Sequence, residues 1–316
     1  MINANKVELW KSDVAASVEM YNDWFFRAAP EAFRASRQTS IDCVLQALQA
    51  TRQARDITPE VIKNDPSVTS VLRMMTAPPI ARDRLVGLSG INSRSFIKTL
   101  EDGHLPVRME SATLDSELRL VCTTISRLLD LDLMPWLAAK TDPDERQMQM
   151  AATVVADRLC GSVADPIIRN AQEERQLRAI AKYLDSLGYL HIALSSGQTF
   201  RDMWEGTYSF RTNVPVGDGL SVNLPVDVVI QPKVPHASGY PILIECKSAG
   251  DYTNTNKRRK EEAQKVRQLR TTYGIDICFA LFLCGYFDSG YLGYEAAEGI
   301  DWIWEHRIDD LKGLGL

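Results

Sequence analysis

Ile242-Leu243-Ile244-Glu245-Cys246-Lys247 is an apolar run broken by two charges two residues apart, and on a strand that period sends Glu245 and Lys247 to one face and Ile242, Ile244 and Cys246 to the other. Upstream, Leu220, Val222, Leu224, Val226, Val228 and Ile230 alternate with Ser221, Asn223, Asp227 and Val229, which puts Asp227 on the more polar face of a second strand. The connection from Gln231 to Pro241 carries Pro232, Pro235, Gly239 and Pro241 and is short enough for a hairpin. Paired in this way, the strands bring Asp227 beside Glu245 and Lys247. Two carboxylates and an ammonium at a sheet end suit a hard divalent cation and the activation of water against a phosphodiester. The same residues also admit a plainer reading, with Asp227 as a strand-end turn residue and Glu245 and Lys247 as a surface pair on an edge strand.

The rest of the chain gives this hairpin its setting. Up to about residue 160 the period is helical: Val14, Val18, Tyr21 and Phe25 form one stripe, and Ile41, Val44, Leu45 and Leu48 form another behind a capping Ser40. Thr58-Pro59-Glu60 and Asp142-Pro143 read as helix starts, with Leu114, Leu118, Val121, Ile125 and Leu128 as a longer stripe between them. Arg82 and Arg84 either reach a phosphate or pair with Asp83 on the surface. A further helix is expected from Asp165-Pro166 to Leu187, with Gly188 at its C′ position. Its Glu173 and Glu174 are either solvated or, for one of them, an additional acid at the sheet-end carboxylates.

Beyond Leu187 the period changes to two. Tyr208 to Val216 alternates, Gly217-Asp218-Gly219 turns the chain, and the two strands above follow. Then come a polar loop from Ser248 to Asn256, a helix from Lys257 to Tyr273, a buried central strand from Cys278 to Cys284, and a last strand from Ile300 to Trp304 before a short terminal helix. The expected division is a mainly helical region over residues 1–160, which embraces DNA or dimerises, and an α/β core with a mixed sheet over residues 161–316.

Composition narrows the function classes. With 45% hydrophobic and 24% charged residues among 316, the chain is a folded protein and not a disordered one. No leader-like segment and no run of about 20 apolar residues is visible, so a cytoplasmic protein without membrane association is expected. Six cysteines (43, 122, 160, 246, 278 and 284) form no CxxC pair and read as reduced core thiols, and four scattered histidines argue against a zinc site. The net charge is −5, yet between Asp251 and Thr272 seven Lys or Arg stand against three acids. That local excess suits a polyanion held on one face. Ser248, Asp251, Thr253, Asn254, Asn256, Lys257, Arg258 and Arg259 follow the Glu-x-Lys strand directly, and a loop so rich in Asn and Arg suits base edges and phosphates, unless it is merely solvated.

The order helix, strand, strand, strand, helix, strand, with Pro225-Val226-Asp227 on the second strand and Glu245-Cys246-Lys247 on the third, resembles the PD-(D/E)XK nuclease core. A closer resemblance lies in Arg158–Leu177 (RLCGSVADPIIRNAQEERQL), Glu245–Gln264 (ECKSAGDYTNTNKRRKEEAQ) and Leu283–Leu311 (LCGYFDSGYLGYEAAEGIDWIWEHRIDDL), which look like the XamI-type family of type II restriction endonucleases. It extends into the N-terminal half through Pro79-Ile80-Ala81-Arg82-Asp83-Arg84.

The resemblance implies a restriction-endonuclease-like core and Mg²⁺-dependent cleavage of double-stranded DNA at a short palindrome such as GTCGAC, leaving 5′-phosphate ends. It places Mg²⁺ on Asp227, Glu245 and the backbone carbonyl of Cys246; Glu173, from its place in the preceding helix, is a further candidate. Lys247 orients the attacking water, stabilises charge or serves as base. A homodimer and a cognate DNA methyltransferase acting on the same site are implied as partners, and the segment from Tyr286 to Glu298 serves recognition, dimerisation or packing. Two other readings use the same residues: a repair or junction nuclease that cuts by structure, and a catalytically silent DNA-binding protein.

Overall fold

The computed structural model describes residues 1–161, 164–195, 197–236, 238–253 and 255–316, with all of their side chains except those of Ala164, Asp165, Ile167, Asp218, Asn256, Lys257, Arg258 and Arg259. The chain divides into two compact units, one formed by Glu31–Ile167 and the other by Met1–Pro30 together with Ile168–Leu316.

Helix α1 (Val7–Ala50) belongs to both, and it corrects the expectation of two separate helices. Pro30 and Ser40 lie inside it; Ser40 is no cap, and its Oγ sits 3.5 Å from Cys160 Sγ. The apparent break has a geometric cause. Sixteen residues separate Phe25 from Ile41, so at 3.6 residues per turn the second stripe is rotated by roughly 160° from the first. Trp10 and Val14 pack with the sheet core, whereas Ile41, Val44 and Leu48 pack in the helical one.

In the helical unit, α2 (Pro59–Asn64), α3 (Val68–Met74), α4 (Arg82–Ser89), α5 (Phe96–Glu101), α6 (Ser111–Arg127), α7 (Pro135–Ala139) and α8 (Glu145–Gly161) surround a core that includes Leu48, Leu72, Phe96, Leu118, Val121, Trp136 and Val155. Thr58 caps α2 as its Pro at the first position predicts, accepting from Val61 N. The start expected at Asp142 falls two residues later: Asp144 Oδ1 accepts from Gln147 N at 2.7 Å while Gln147 Oε1 accepts from Asp144 N at 3.0 Å, a reciprocal cap. Arg158 ties three elements together, donating to Met74 O at 2.9 Å, Thr76 O at 3.3 Å and Asp130 Oδ2 at 2.8 Å.

The other unit is a three-layer α/β assembly. After the first part of α1 it resumes with α9 (Ala164–Ser186), closed where Tyr189 N reaches Leu184 O at 3.0 Å across Gly188, whose φ of 77° is the left-handed turn expected there. Next come β1 (Leu190–His191), β2 (Thr207–Val216), β3 (Val222–Gln231), β4 (Ile242–Ala249), α10 (Thr255–Tyr273), β5 (Phe279–Gly285), α11 (Ser289–Ala297) and β6 (Asp301–Trp304), and the chain ends in a 3₁₀ segment, Glu305–Leu314. Among the described residues six strands form one mixed sheet in the order β1-β2-β3-β4-β5-β6; β3 runs antiparallel to both β2 and β4, while β1 is parallel to β2, and β4, β5 and β6 are parallel to one another. Val266 and Leu269 of α10 and Tyr291 and Leu292 of α11 cover one face, packing on Val229, Leu243, Leu281 and Leu283. Leu177, Ile180 and Leu184 of α9 cover the other, against Val228, Ile242, Ile244 and Phe282.

Four further details depart from the sequence reading. The edge strand β1 and helix α11 are additional, and the polar loop after β4 is shorter than Ser248–Asn256, because β4 runs to Ala249 and α10 begins at Thr255. All six cysteines are free, but Cys43 is exposed and not a core residue.

The end of β4 depends on one glycine. Gly285 has φ 103°, and a Cβ added there would lie 2.1 Å from Ala249 O. Gly285→Ala is therefore expected to cost about 2–5 kcal/mol, combining left-handed backbone strain with overpacking against a neighbouring strand. Thermal or denaturant melting measures it, and a loss below 1 kcal/mol (about the ordinary effect of a point mutation) would contradict the close packing of β4 on β5.

Candidate active site

The site forms where β3 and β4 part. Their ladder runs through Ile230↔Ile242, Val229↔Leu243 and Val228↔Ile244 and then ends, while β4 stays paired with β5 as far as Ala249↔Gly285. One residue past the last pair, Asp227 Oδ2 accepts from Cys246 N at 2.8 Å, so a carboxylate replaces the main-chain acceptor of a continuing ladder. On the other flank Phe210 pairs with Val228 and Thr212 with Val226, and Arg211 between them has φ 50°.

Glu245 and Lys247 project from β4 toward α10, on the face opposite Ile242 and Ile244, as their period requires. Glu245 is 8% exposed, and its two oxygens are held by two lysines: Oε1 accepts from Lys247 Nζ at 2.9 Å and Oε2 from Lys265 Nζ at 2.8 Å. Lys265 also donates to Pro225 O at 2.7 Å, tying α10 to β3 beside Asp227. Lys247 Nζ lies 3.7 Å from Glu262 Oε1, and Glu262 Oε2 accepts from Tyr291 OH at 2.9 Å. From below, Gln176 of α9 donates to Lys247 O and Phe282 O, each at 3.3 Å.

The electrostatics follow from this crowding of charge. Burial, and then the charge of Glu245, push the Asp227 carboxyl up to about 6, against the opposing pull of Cys246 N–H and Lys247. Burial alone would lower Lys247, but Glu245 and Glu262 outweigh it and its ammonium is held above its ordinary value. A carboxyl whose ionisation is opposed by burial and by the charge of a neighbouring carboxylate marks a place where a cation is favoured. Among the described residues no three His, Cys, Asp or Glu side chains converge as a metal cluster. Asp227, Glu245 and the Cys246 carbonyl offer oxygen donors only, two of them carboxylates, which is the donor chemistry that suits Mg²⁺, an ion that keeps several waters and takes one or two carboxylates from its protein.

Glu173 pairs with Arg211 at 2.9 Å, and its charge is the smallest of the named influences on Asp227. Asp251 and Thr253 are exposed in a turn closed by Thr253 N donating to Asp251 Oδ1 at 2.7 Å, and Ser248 lies on β4 itself. Asn254 and the side chains of Asn256, Lys257, Arg258 and Arg259 lie outside the described residues. Arg82 and Arg84 are exposed on α4 of the helical unit, where Arg82 pairs with Glu101 and not with Asp83. Glu262 and Lys265 of α10, with Tyr291 and Gln176, are site neighbours that the sequence reading missed. The available signal was Glu262 itself, an acid in phase with the apolar stripe Val266, Leu269 and Tyr273.

No solved structure matches the chain significantly. A curated protein, the type II restriction enzyme SalI of Streptomyces albus G, is 57% identical over 315 residues, which spans 100% of each chain. Residues 52–304 match the model of the XamI restriction endonuclease family, a span that takes in α2, the whole sheet and every residue of the carboxylate and lysine cluster. The resemblance noted in the sequence is thereby placed on firm ground, and the chain belongs to the XamI restriction endonuclease family.

Proposed function

We propose that the protein cuts both strands of double-stranded DNA at a short palindrome of the GTCGAC kind, using Mg²⁺ and leaving 5′-phosphate and 3′-hydroxyl ends. What supports this reading is the joining of Asp227, Glu245 and Lys247 at the point where β3 and β4 part, in a chain of this family. Asp227, Glu245 and the Cys246 carbonyl hold the ion, which when bound supplies Lewis acidity and offsets charge at the scissile phosphate. Lys247 presents its ammonium to the same phosphate, orienting water or balancing the charge that develops in the transition state. Cys246 N–H fixes the Asp227 carboxylate, and Gln176 fixes the main chain of β4 beneath it. Glu173 stands ready as an additional acid. Ser248, Asp251 and Thr253, with the basic start of α10 and with Arg82 and Arg84, contact DNA.

A double cut at a palindrome is most simply made by a C2 homodimer. Such an enzyme is cytoplasmic and accompanied by a methyltransferase that protects the same site; no helix among the described residues is long and apolar enough to cross a membrane. The test is digestion of a long unmethylated DNA with Mg²⁺ or with EDTA, followed by sequencing of the ends. Discrete Mg²⁺-dependent fragments sharing one terminal motif are expected. A sequence-independent smear, or DNA intact under every condition, would refute the reading.

A further inference from the structure

Strand β4 and helix α10 face each other with crossed charges. Glu245 meets Lys265 at 2.8 Å, and Lys247 meets Glu262 at 3.7 Å, so that an acid and a base two residues apart on the strand oppose an acid and a base three residues apart on the helix. Glu262 is only 2% exposed, and a buried carboxylate at that depth requires partners to stay charged. It has Lys247 on one side and, on the other, the hydroxyl of the buried Tyr291, which α11 delivers at 2.9 Å. Asp288 in turn caps α11, accepting from Tyr291 N at 2.8 Å, which fixes the tyrosine itself.

The consequence concerns what happens to Lys247 when its nearer partner is taken. In the resting site Glu245 Oε1 holds the ammonium at 2.9 Å. A divalent cation competes for that carboxylate, and a lysine that lost its one neighbour would swing on a flexible four-carbon stem. Glu262 is already within ion-pair reach and is anchored independently of the cation. We propose that Glu262, fixed by Tyr291, is the positioning residue that holds Lys247 in place once Glu245 is committed to a divalent cation, and that Glu262 is not itself a ligand of that cation. This rests on the metal-dependent reading of the site given above.

The test uses the full-length protein carrying Glu262→Gln, Tyr291→Phe, Glu245→Gln or Lys247→Ala, and the double variant of Glu262→Gln with Lys247→Ala. Calcium binding to the protein–DNA complex, measured by titration calorimetry, falls far less in Glu262→Gln than in Glu245→Gln; equal losses would make Glu262 a ligand and overturn the proposal. Single-turnover cleavage at saturating Mg²⁺ slows by roughly 10–100-fold in Glu262→Gln, as expected for loss of a supporting partner, and by about fivefold in Tyr291→Phe, where one hydrogen bond is lost. Substrate affinity stays unchanged in both. The double variant cleaves no more slowly than Lys247→Ala alone, because Glu262 acts through that lysine. Additive losses, or a native rate in Glu262→Gln, would overturn the proposal. If Glu262→Gln fails to fold, Tyr291→Phe combined with Lys247→Ala carries the same comparison. A wild-type protein that binds calcium yet never cuts DNA would instead refute the underlying reading.

Discussion

Asp227→Asn is expected to melt about 5–10 °C above the native protein at pH 8 without divalent cation, and to cut DNA roughly 10²–10³ times more slowly with it. The first effect comes from the charge that the site carries when empty of counter-ions. Folding raises the Asp227 carboxyl to about 6, whereas in the unfolded chain it titrates near 4. Between those values the native state binds the proton that the unfolded state has released. The contribution of this group is therefore full below about pH 4, declines as pH rises to about 6, and stays reduced above it. A rise of that size corresponds to about 3 kcal/mol at pH 8, which a neutral amide removes.

The substitution is mild in shape, since the Asn oxygen still accepts from Cys246 N. The second effect follows from the loss of one of the charged oxygens proposed above to hold the cation. The two are linked by cation binding: Ca²⁺ at ten times its dissociation constant stabilises the native protein by about 1.4 kcal/mol and leaves the variant nearly unmoved. Melting curves with and without Ca²⁺, alongside cleavage rates, test both effects. An Asp227→Asn protein that melts lower than the native one, or that cuts at the native rate, would sink this account.

How much of this was legible beforehand can be traced residue by residue. The strands and the meeting of Asp227 with Glu245 and Lys247 were readable because period 2 is a local property and the hairpin connection is short. What the alternation could not convey is that the ladder stops at Val228↔Ile244, since strand divergence depends on which neighbour β4 keeps. Helix α11 was hidden by Gly290 and Gly293, weak helix formers, and is held by its Asp288 cap and by burial of Tyr291 and Leu292. Lys265 looked like one more member of a basic helix. Its pairing with Glu245 depends on the rotation of α10 over the sheet, which no single-helix pattern specifies. The continuity of α1 failed for a related reason: each half answers to a different core, so its two stripes fall out of phase.

Lys247→Ala is expected to slow cleavage by about 10²–10³-fold while leaving DNA affinity nearly unchanged, and to lower the melting temperature of the cation-free protein. The rate loss is that of removing one preorganised donor from the place where charge develops. Binding survives because phosphate contacts along a DNA site are many and this one is a single ammonium, 21% exposed. Stability falls because Glu245 and Glu262 lose a shared cation and keep only Lys265 and Tyr291 from among the partners described above. The loss stays below the roughly 3–5 kcal/mol typical of a fully buried pair.

Lys247→Arg does not restore the rate. A guanidinium forms two parallel bonds to a carboxylate, so it engages Glu245 more firmly than an ammonium does and competes with the cation for it. Recovery to within tenfold of the native rate in the Arg variant would show that charge alone suffices at this position, and a native rate in the Ala variant would remove Lys247 from the chemistry. Asp227→Asn and Lys247→Ala thus stop the same reaction with opposite effects on the cation-free melt. The opposition has one electrostatic origin: the site holds more negative than positive charge until a cation enters, so deleting an acid relieves the fold and deleting a base strains it.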